Sequence, residues 1–299
     1  MQRAPRIRRR TRWLPGLLGA CVLTVAPVHA APITFNTGLP VSVGHWVGRA
    51  QAVYGEAGSA GNEIEEVRSI TVLGYGATPD LALFGVIPWV SRDLDLAAGG
   101  SREASGLGDI GLFARYTAYR RDVSGGTFRV APFLGVELPT GENRKSDAQG
   151  RLPPALQPGS GSWDTFGGVV ASWATLDWTV DGQVSWQANA RAGGVELGDV
   201  FKADLALYKR LLPAELSADT ASFLLGGVEL NFEDETRTRT GGVADPDSGG
   251  RRLFLTPGLQ YARKLWMAEA AVQIPLSQDL HGANVERDFA LLIGLRLNL

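Results

Sequence analysis

Apolar and polar residues alternate with a period of two along much of this chain, and no other feature constrains its fold as strongly. Within 176–189 every even position except Gly182 is apolar and every odd position is polar. Similar alternation occurs in 128–138, 266–274 and 289–299. Because successive side chains of a β-strand point to opposite faces, each segment predicts a strand with one apolar and one polar face.

Extended over the whole chain, this pattern predicts twelve strands. They cover 45–54, 64–77, 80–91, 108–120, 126–139, 162–173, 176–189, 200–211, 222–233, 252–263, 265–276 and 288–299. We therefore expect an all-β fold, a closed transmembrane antiparallel up-and-down β-barrel of about twelve strands that occupies 31–299. After residue 30, no apolar run approaches the roughly 20 residues that a membrane-spanning helix needs.

The connections between the predicted strands support this topology. The odd-numbered connections have 9, 16, 22, 10, 18 and 11 residues, and the even-numbered ones have 2, 5, 2, 10 and 1. Outer-membrane barrels have short turns at the periplasmic end and longer loops outside. The ten-residue connection at 212–221 is the exception. With twelve strands, both chain ends are expected at the short-turn end.

Aromatic residues are expected to form girdles where a barrel meets the lipid headgroups. The seven tryptophans after residue 30 lie at or near the ends of predicted strands. They are Trp46, Trp89, Trp163, Trp173, Trp178, Trp186 and Trp266. The alternative is the core of a soluble β protein, but each polar inward group left unsatisfied in a dry core would cost about 1–3 kcal/mol.

The polar faces of the strands are expected to line a wet lumen. The candidate lining residues are Arg49, Gln51, Arg68, Arg115, Arg129, Glu137, Asp177, Asp181, Gln183, Gln187, Glu229, Glu269, Gln273 and Arg296. Both charge signs occur among them, which predicts a narrow lumen partly filled by ion pairs. Residues 31–44 either plug this lumen from below or lead into the first strand. The 140–161 connection either folds inward as a constriction or stays outside.

The first thirty residues predict export. Six arginines precede an apolar run from Trp13 to Val28, and the segment ends in a small residue, Ala30. This is typical of a secretory signal peptide cleaved after Ala30. The alternatives are a membrane anchor, for which the apolar run is short, and a lipoprotein processed at Cys21.

The composition after this segment excludes several functions. It leaves 23 basic and 31 acidic residues and no cysteine, so a basic surface for nucleic acid and a thiolate metal site are not expected. The absence of thiols suits an oxidising compartment. The acidic groups in 233–235 and 245–247 lack the spacing of a calcium loop. We expect no cofactor and no metal. The expected partners are outer-membrane lipid, a small-molecule solute and the barrel-assembly machinery.

Two features suggest other functions, and the context argues against both. Residues 106–111 match the dinucleotide fingerprint, but a loop-like sequence precedes them and a strand-like sequence follows, whereas the fingerprint needs a strand and then a helix. An outer-membrane hydrolase would need a serine, a histidine and an orienting polar group, and neither His45 nor His281 is flanked by a serine motif. We expect no enzymatic activity.

Several phrases of the sequence, in this order, resemble a family of outer-membrane transporters labelled as the MetA-pathway of phenol degradation. The phrases are 33–41, 106–109 followed by 115–116, then 135–141, 157–161, 254–261 and 273–276. The resemblance implies an outer-membrane barrel that passes small, often aromatic or hydrophobic, compounds into the cell. It implies no catalytic residues.

Together these observations predict a porin-like channel or transporter of the bacterial outer membrane. It would take up small molecules passively, aromatic or hydrophobic ones among them. The alternatives are a structural or adhesive barrel whose loops bind a partner and, with less support, an outer-membrane hydrolase.

Overall fold

The computed structural model describes residues 30–59, 61–217 and 220–299. The predicted signal peptide lies outside these residues except for Ala30. Among the described residues, no helix is long and apolar enough to cross a membrane.

Twelve strands form one closed antiparallel sheet, as the alternation predicts. Each strand pairs with its neighbours in sequence, and the last strand pairs with the first from Val47↔Asn298 to Gly58↔Glu286. The strands are β1 (Trp46–Ser59), β2 (Asn62–Gly76), β3 (Leu81–Asp95), β4 (Ser101–Leu107, Ile110–Tyr116 and Tyr119–Val123), β5 (Gly126–Leu138), β6 (Asp164–Thr175), β7 (Trp178–Ala188), β8 (Val200–Leu212), β9 (Ser222–Glu235), β10 (Gly250–Arg263), β11 (Trp266–Leu280) and β12 (Glu286–Asn298).

The barrel has a turn end and a loop end. The turn end carries the start of β1, the end of β12 and the connections 77–80, 124–125, 176–177, 213–221 and 264–265. The loop end carries the remaining connections. Three of these are much shorter than predicted, since the first spans only 60–61, the second only 96–100 and the last only 281–285. Strands β1 to β4 extend further toward the loop end than the alternation indicates, because polar residues occupy both faces there, as in 62–66 and 91–95.

Strand β4 is interrupted twice. Its first segment pairs only with β3, its second with β3 and β5, and its third only with β5. The 139–163 connection packs beside the first segment. Both Gly141 and Ser160 donate backbone N–H groups to the Asp109 carboxylate, at 2.8 and 2.6 Å. The connection is thereby fixed at the break in β4.

The 139–163 connection folds inward, which was one of the two predicted alternatives. Leu152 and Leu156 are buried against Ala104 and Leu94. Short strands Ser146–Asp147 and Gly150–Arg151 and a 3-10 turn, Pro154–Leu156, give it local structure. Arg102 donates to both carboxylate oxygens of Asp147, at 2.7 and 2.9 Å. This hydrogen bonding holds the pKa of Asp147 below its usual range.

Two further connections pair above the barrel at the loop end. Their short strands form a separate four-stranded antiparallel sheet. These strands are Arg191–Ala192, Val195–Glu196, Arg239–Thr240 and Val243–Ala244.

The register separates an apolar outer face from a mixed inner face. Leu205, Leu207, Leu291, Ile293 and Leu295 are large apolar side chains exposed on the outside. Six of the predicted girdle tryptophans lie at strand ends. Trp46, Trp173, Trp178 and Trp266 lie at the turn end, and Trp163 and Trp186 lie toward the loop end. The prediction for Trp89 was wrong in one respect, because β3 continues to Asp95 and leaves Trp89 in mid-strand.

The face assignment predicts different costs for one substitution at two sites. Ile293 is 62 % exposed on the outer face, so Ile293→Arg should lower the free energy of unfolding by about 2–4 kcal/mol in a bilayer. Gln187 faces the lumen and donates to the Glu137 carboxylate at 3.0 Å, so Gln187→Arg should be nearly neutral. Urea unfolding in lipid vesicles measures both, and equal losses would contradict the assignment.

Candidate functional site

The chain segment before β1 lies inside the barrel. Residues 30–41, called the plug here, rise from the turn end to mid-lumen near Phe35 and return to the turn end. There Val43 forms a bridge with Gly76. Ala30 and Ile33 are 1 % and 0 % exposed. Of the two alternatives left open by the sequence, the structure shows that this segment plugs the lumen.

A buried carboxylate holds the rising limb of the plug through its amides. Glu229 is 0 % exposed. It accepts hydrogen bonds from the backbone N–H groups of Ile33 and Thr34, at 2.5 and 3.0 Å, and from the Thr34 hydroxyl. The Tyr208 hydroxyl also donates to it, at 2.7 Å. Hydrogen bonding by four donors offsets the cost of burying this charge.

Basic and amide side chains bind the carbonyl groups of the same limb. Arg49 and Gln51 both donate to the Ile33 carbonyl, with 3.1 Å for Gln51. Glu269 orients Arg49 by accepting from its Nε at 2.8 Å. The Ile33 carbonyl therefore accepts hydrogen bonds from two side chains on the same face of β1.

The first plug residues are bound in the same way from β10 and β12. Gln260 Nε2 donates to the Ala31 carbonyl at 2.6 Å. Arg296 donates to the carbonyls of Ala31, at 3.2 Å, and of Pro32. Glu269 pairs with Arg296 as well, with 2.8 Å between Oε2 and Nε. One carboxylate thus positions two plug-binding arginines.

The apex and the returning limb are bound mainly by Arg115 of β4. Its guanidinium donates to Asn36 Oδ1 at 2.8 Å, to the Thr37 carbonyl and to the Leu39 carbonyl at 2.6 Å. The buried Arg115 guanidinium therefore donates to three acceptors of the plug.

Residues on β6 and β7 also bind the apex of the plug. The Thr37 hydroxyl donates to Asp181 at 2.9 Å, and the Gly38 N–H donates to the Ser172 hydroxyl at 2.7 Å. The Ser172 hydroxyl donates in turn to Asp181.

Thirteen of the fourteen predicted lining residues point into the lumen, and six of them contact the plug. Those six are Arg49, Gln51, Arg115, Asp181, Glu229 and Arg296. Asp177 is the exception, because it lies in the turn between β6 and β7 and pairs with Arg210 there. The plug uses many of the polar groups that the sequence assigned to the lining of a wet, narrow lumen.

The other predicted lining residues bond to one another or to neighbouring polar side chains. Gln187 bonds to Glu137, Gln183 to Asp204 at 3.4 Å, and Gln273 to Asn231 at 3.3 Å. Arg68 and Arg92 flank Glu66, with Arg92 Nε 2.7 Å from its carboxylate. Arg129 lies toward the turn end of β5 and is 8 % exposed.

Sequence reasoning missed a group of phenylalanines on the inner faces of β3 to β6. Phe84 and Phe113 stack with their ring centroids 4.6 Å apart. Phe133 and Phe166 approach the Phe113 ring edge-on, at 6.2 and 6.0 Å. A signal for this group exists in the sequence, because 81–90 contains no polar residue and its inner face must therefore be apolar.

Two glycines make room for these rings. A Cβ on Gly74 would lie 2.5 Å from the Phe84 ring, and one on Gly135 would lie 2.5 Å from the Phe166 ring. Such distances are far below van der Waals contact, so any side chain there would displace a phenylalanine. The glycines allow the rings to lie flat across the neighbouring strand.

A cavity of about 1,080 Å³ extends along the lumen beside the plug. The four phenylalanines line it on one side, and Phe35, Leu39 and Val41 of the plug line it on the other. Arg115 contributes as well, with its guanidinium carbon 4.8 Å from the centroid of the Phe84 ring. The lumen therefore combines an apolar compartment with a small number of fixed charges.

Comparison with known proteins agrees with this architecture. The sequence matches the family described as "Putative MetA-pathway of phenol degradation" over residues 48–278. No curated protein is similar enough to count as a match.

Among solved structures, an outer membrane channel from Pseudomonas putida F1 is similar with a TM-score of 0.67 and 17% identity, over 90% of this chain and 100% of that one. This likeness identifies the fold as that of an outer-membrane barrel. The beta domain of the Bordetella autotransporter BrkA has a TM-score of 0.48 at 13% identity, over 86% of this chain and 100% of that domain. The NanC porin has 0.47 at 10%, over 84% and 100%.

The plug contacts predict the effect of removing Arg115. Arg115→Leu should speed amide hydrogen exchange in residues 33–41 by about tenfold or more, because a hydrogen bond to a charged group is worth about 1.5–3 kcal/mol. Arg121→Leu is the control, since Arg121 is exposed on the adjacent segment of β4. Mass spectrometry of the exchanged protein in detergent makes the measurement. Unchanged exchange in Arg115→Leu would show that this residue does not hold the plug.

Proposed function

The chain belongs to the MetA-pathway phenol degradation family, and on that premise we propose that it is a passive outer-membrane channel for small aromatic or hydrophobic molecules. The turn end would face the periplasm and the loop end the cell exterior, as in bacterial outer-membrane barrels. The apolar outer face and the tryptophans near both ends of the barrel support this placement.

The phenylalanine-lined cavity is the observation that carries the proposal. An apolar cavity of about 150 Å³ is enough to bind benzene in a protein interior, and the cavity beside the plug is several times larger. Stacked and edge-on aromatic contacts add about 0.5–1.5 kcal/mol to the burial of a ring. Phenylalanine side chains cannot replace the hydrogen bonds that a strongly hydrated solute makes with water, so this wall favours aromatic or hydrophobic solutes.

We infer that the plug is the gate of this channel. It reaches mid-height in the lumen, where side chains of the wall hold it by hydrogen bonds. Ala30 and Ile33 also pack against apolar residues of the wall. Hydrogen bonds of this kind can be exchanged for water when the segment moves toward the periplasmic mouth. Both limbs of the plug point to that mouth, so such a movement needs no rearrangement of the barrel.

The positions of the histidines favour a channel over a hydrolase. His45 bonds to the Leu299 carbonyl at the turn end, and His281 bonds to the Ser248 carbonyl at the loop end. Neither ring bonds to a serine hydroxyl among the described residues, whereas a serine nucleophile needs that contact.

A reversible cross-link tests the gate. A Cβ on Gly38 would lie 3.5 Å from the Ser172 Cβ, within the range of a disulfide, about 3.5–4.5 Å. Gly38→Cys with Ser172→Cys, made in a Cys21→Ser background, should therefore form a disulfide between plug and wall. In planar bilayers the oxidised protein should pass less ion current than the reduced protein, and aromatic solutes should block the reduced current transiently.

Ser172→Cys alone is the matched control and should not respond to oxidant. If the disulfide forms and current is the same before and after reduction, the plug is not the gate. If no variant passes current, and deletion of the gene leaves cellular uptake of radiolabelled phenol unchanged, the channel proposal itself fails.

A further inference from the structure

Arg129 borders the same cavity as the phenylalanines. It lies on the inner face of β5, four residues from Phe133 along the strand, with Ala131 between them on the same face. That spacing separates their Cα atoms by about 13 Å, a distance that the two long side chains bridge in part. A guanidinium and an aromatic wall therefore face one compartment.

The donors of Arg129 are poorly used within the barrel. Its side chain is nine-tenths buried, and its Nε has no hydrogen-bond partner among the described residues. The one ion pair it makes there is with Asp122, at 3.8 Å between Nη2 and Oδ1. That carboxylate already accepts from Arg120 and from the Thr127 hydroxyl. Arg129 is thus a buried cation with unsatisfied donors.

Arg115 differs from Arg129 in this respect. Arg115 lines the same cavity, but it donates to three acceptors of the plug. A buried charged group without good hydrogen bonds is costly. An anion placed in the cavity would therefore gain more from Arg129 than from Arg115. The planar fork of a guanidinium suits two oxygens of one carboxylate.

We propose that the channel recognises small aromatic carboxylates, and that Arg129 determines this specificity. The ring would lie against Phe113 and Phe133, and the carboxylate would accept hydrogen bonds from the Arg129 guanidinium. This inference rests on the proposed channel function and names the solute class of the same cavity. Arg129 lies toward the turn end, so the solute would meet this cation on its way to the periplasm.

Block of the ion current by three probes tests the inference. Benzoate carries both ring and charge, benzyl alcohol has the ring alone, and acetate has the charge alone. Benzoate should block at the lowest concentration in the unmodified protein. In Arg129→Gln its half-blocking concentration should rise about tenfold, while that of benzyl alcohol should not change.

Matched variants separate the two parts of the site. Arg121→Gln removes the same charge from an exposed position on the neighbouring strand and should leave benzoate block unchanged. Phe113→Ala should weaken block by benzoate and by benzyl alcohol but not by acetate. If Arg129→Gln does not fold, as heat-modifiable gel mobility would reveal, Arg129→Lys keeps the charge without the planar fork and should weaken benzoate block several-fold.

The outcomes distinguish this inference from the proposed function. If neither aromatic probe blocks the current, the aromatic channel is wrong. If benzyl alcohol blocks but benzoate blocks no better, or if Arg129→Gln and Arg121→Gln have the same effect on benzoate, the role of Arg129 is wrong.

Discussion

Closure of the hydrogen-bonded sheet is the constraint on which the rest of this structure depends. An unpaired backbone N–H or C=O in lipid costs several kcal/mol, so a sheet within a membrane must have no free edge. Pairing of β1 with β12 removes both edges. Once the sheet is closed, its two faces meet different surroundings, and the alternation in the sequence becomes an apolar outside and a mixed inside.

Closure of the barrel also explains why the lumen contains a segment of the same chain, the plug. Charged side chains on the inner face need partners, and main chain offers both donors and acceptors at every residue except proline. The plug supplies amides to Glu229 and carbonyls to Arg49, Arg115 and Arg296. Arg49 and Arg296 share Glu269 of β11 as a counter-charge, and the plug carbonyls accept from them as well.

The two sides of the lumen differ in chemistry. Strands β8 to β12 and β1 bind the rising limb of the plug through polar groups and through apolar contacts with Ala30 and Ile33. Strands β3 to β6 carry the four phenylalanines of the cavity wall. Because the rising limb of the plug lies against β8 to β12 and β1, an apolar compartment is left open beside it. Arg129, at the turn end of that compartment, is a buried cation whose Nε has no hydrogen-bond partner among the described residues. The division suits a solute with a ring and one charged end.

The sequence by itself determined the twelve strands, their order and the face on which nearly every side chain lies, because a period of two is a local property of the chain. It also contained a trace of the apolar inner wall, in the unbroken apolar run 81–90. The tertiary structure alone decided that residues 30–41 fill the lumen and that Phe84, Phe113, Phe133 and Phe166 meet. These contacts join residues up to 265 positions apart, and which distant groups meet is fixed only when the last strand pairs with the first.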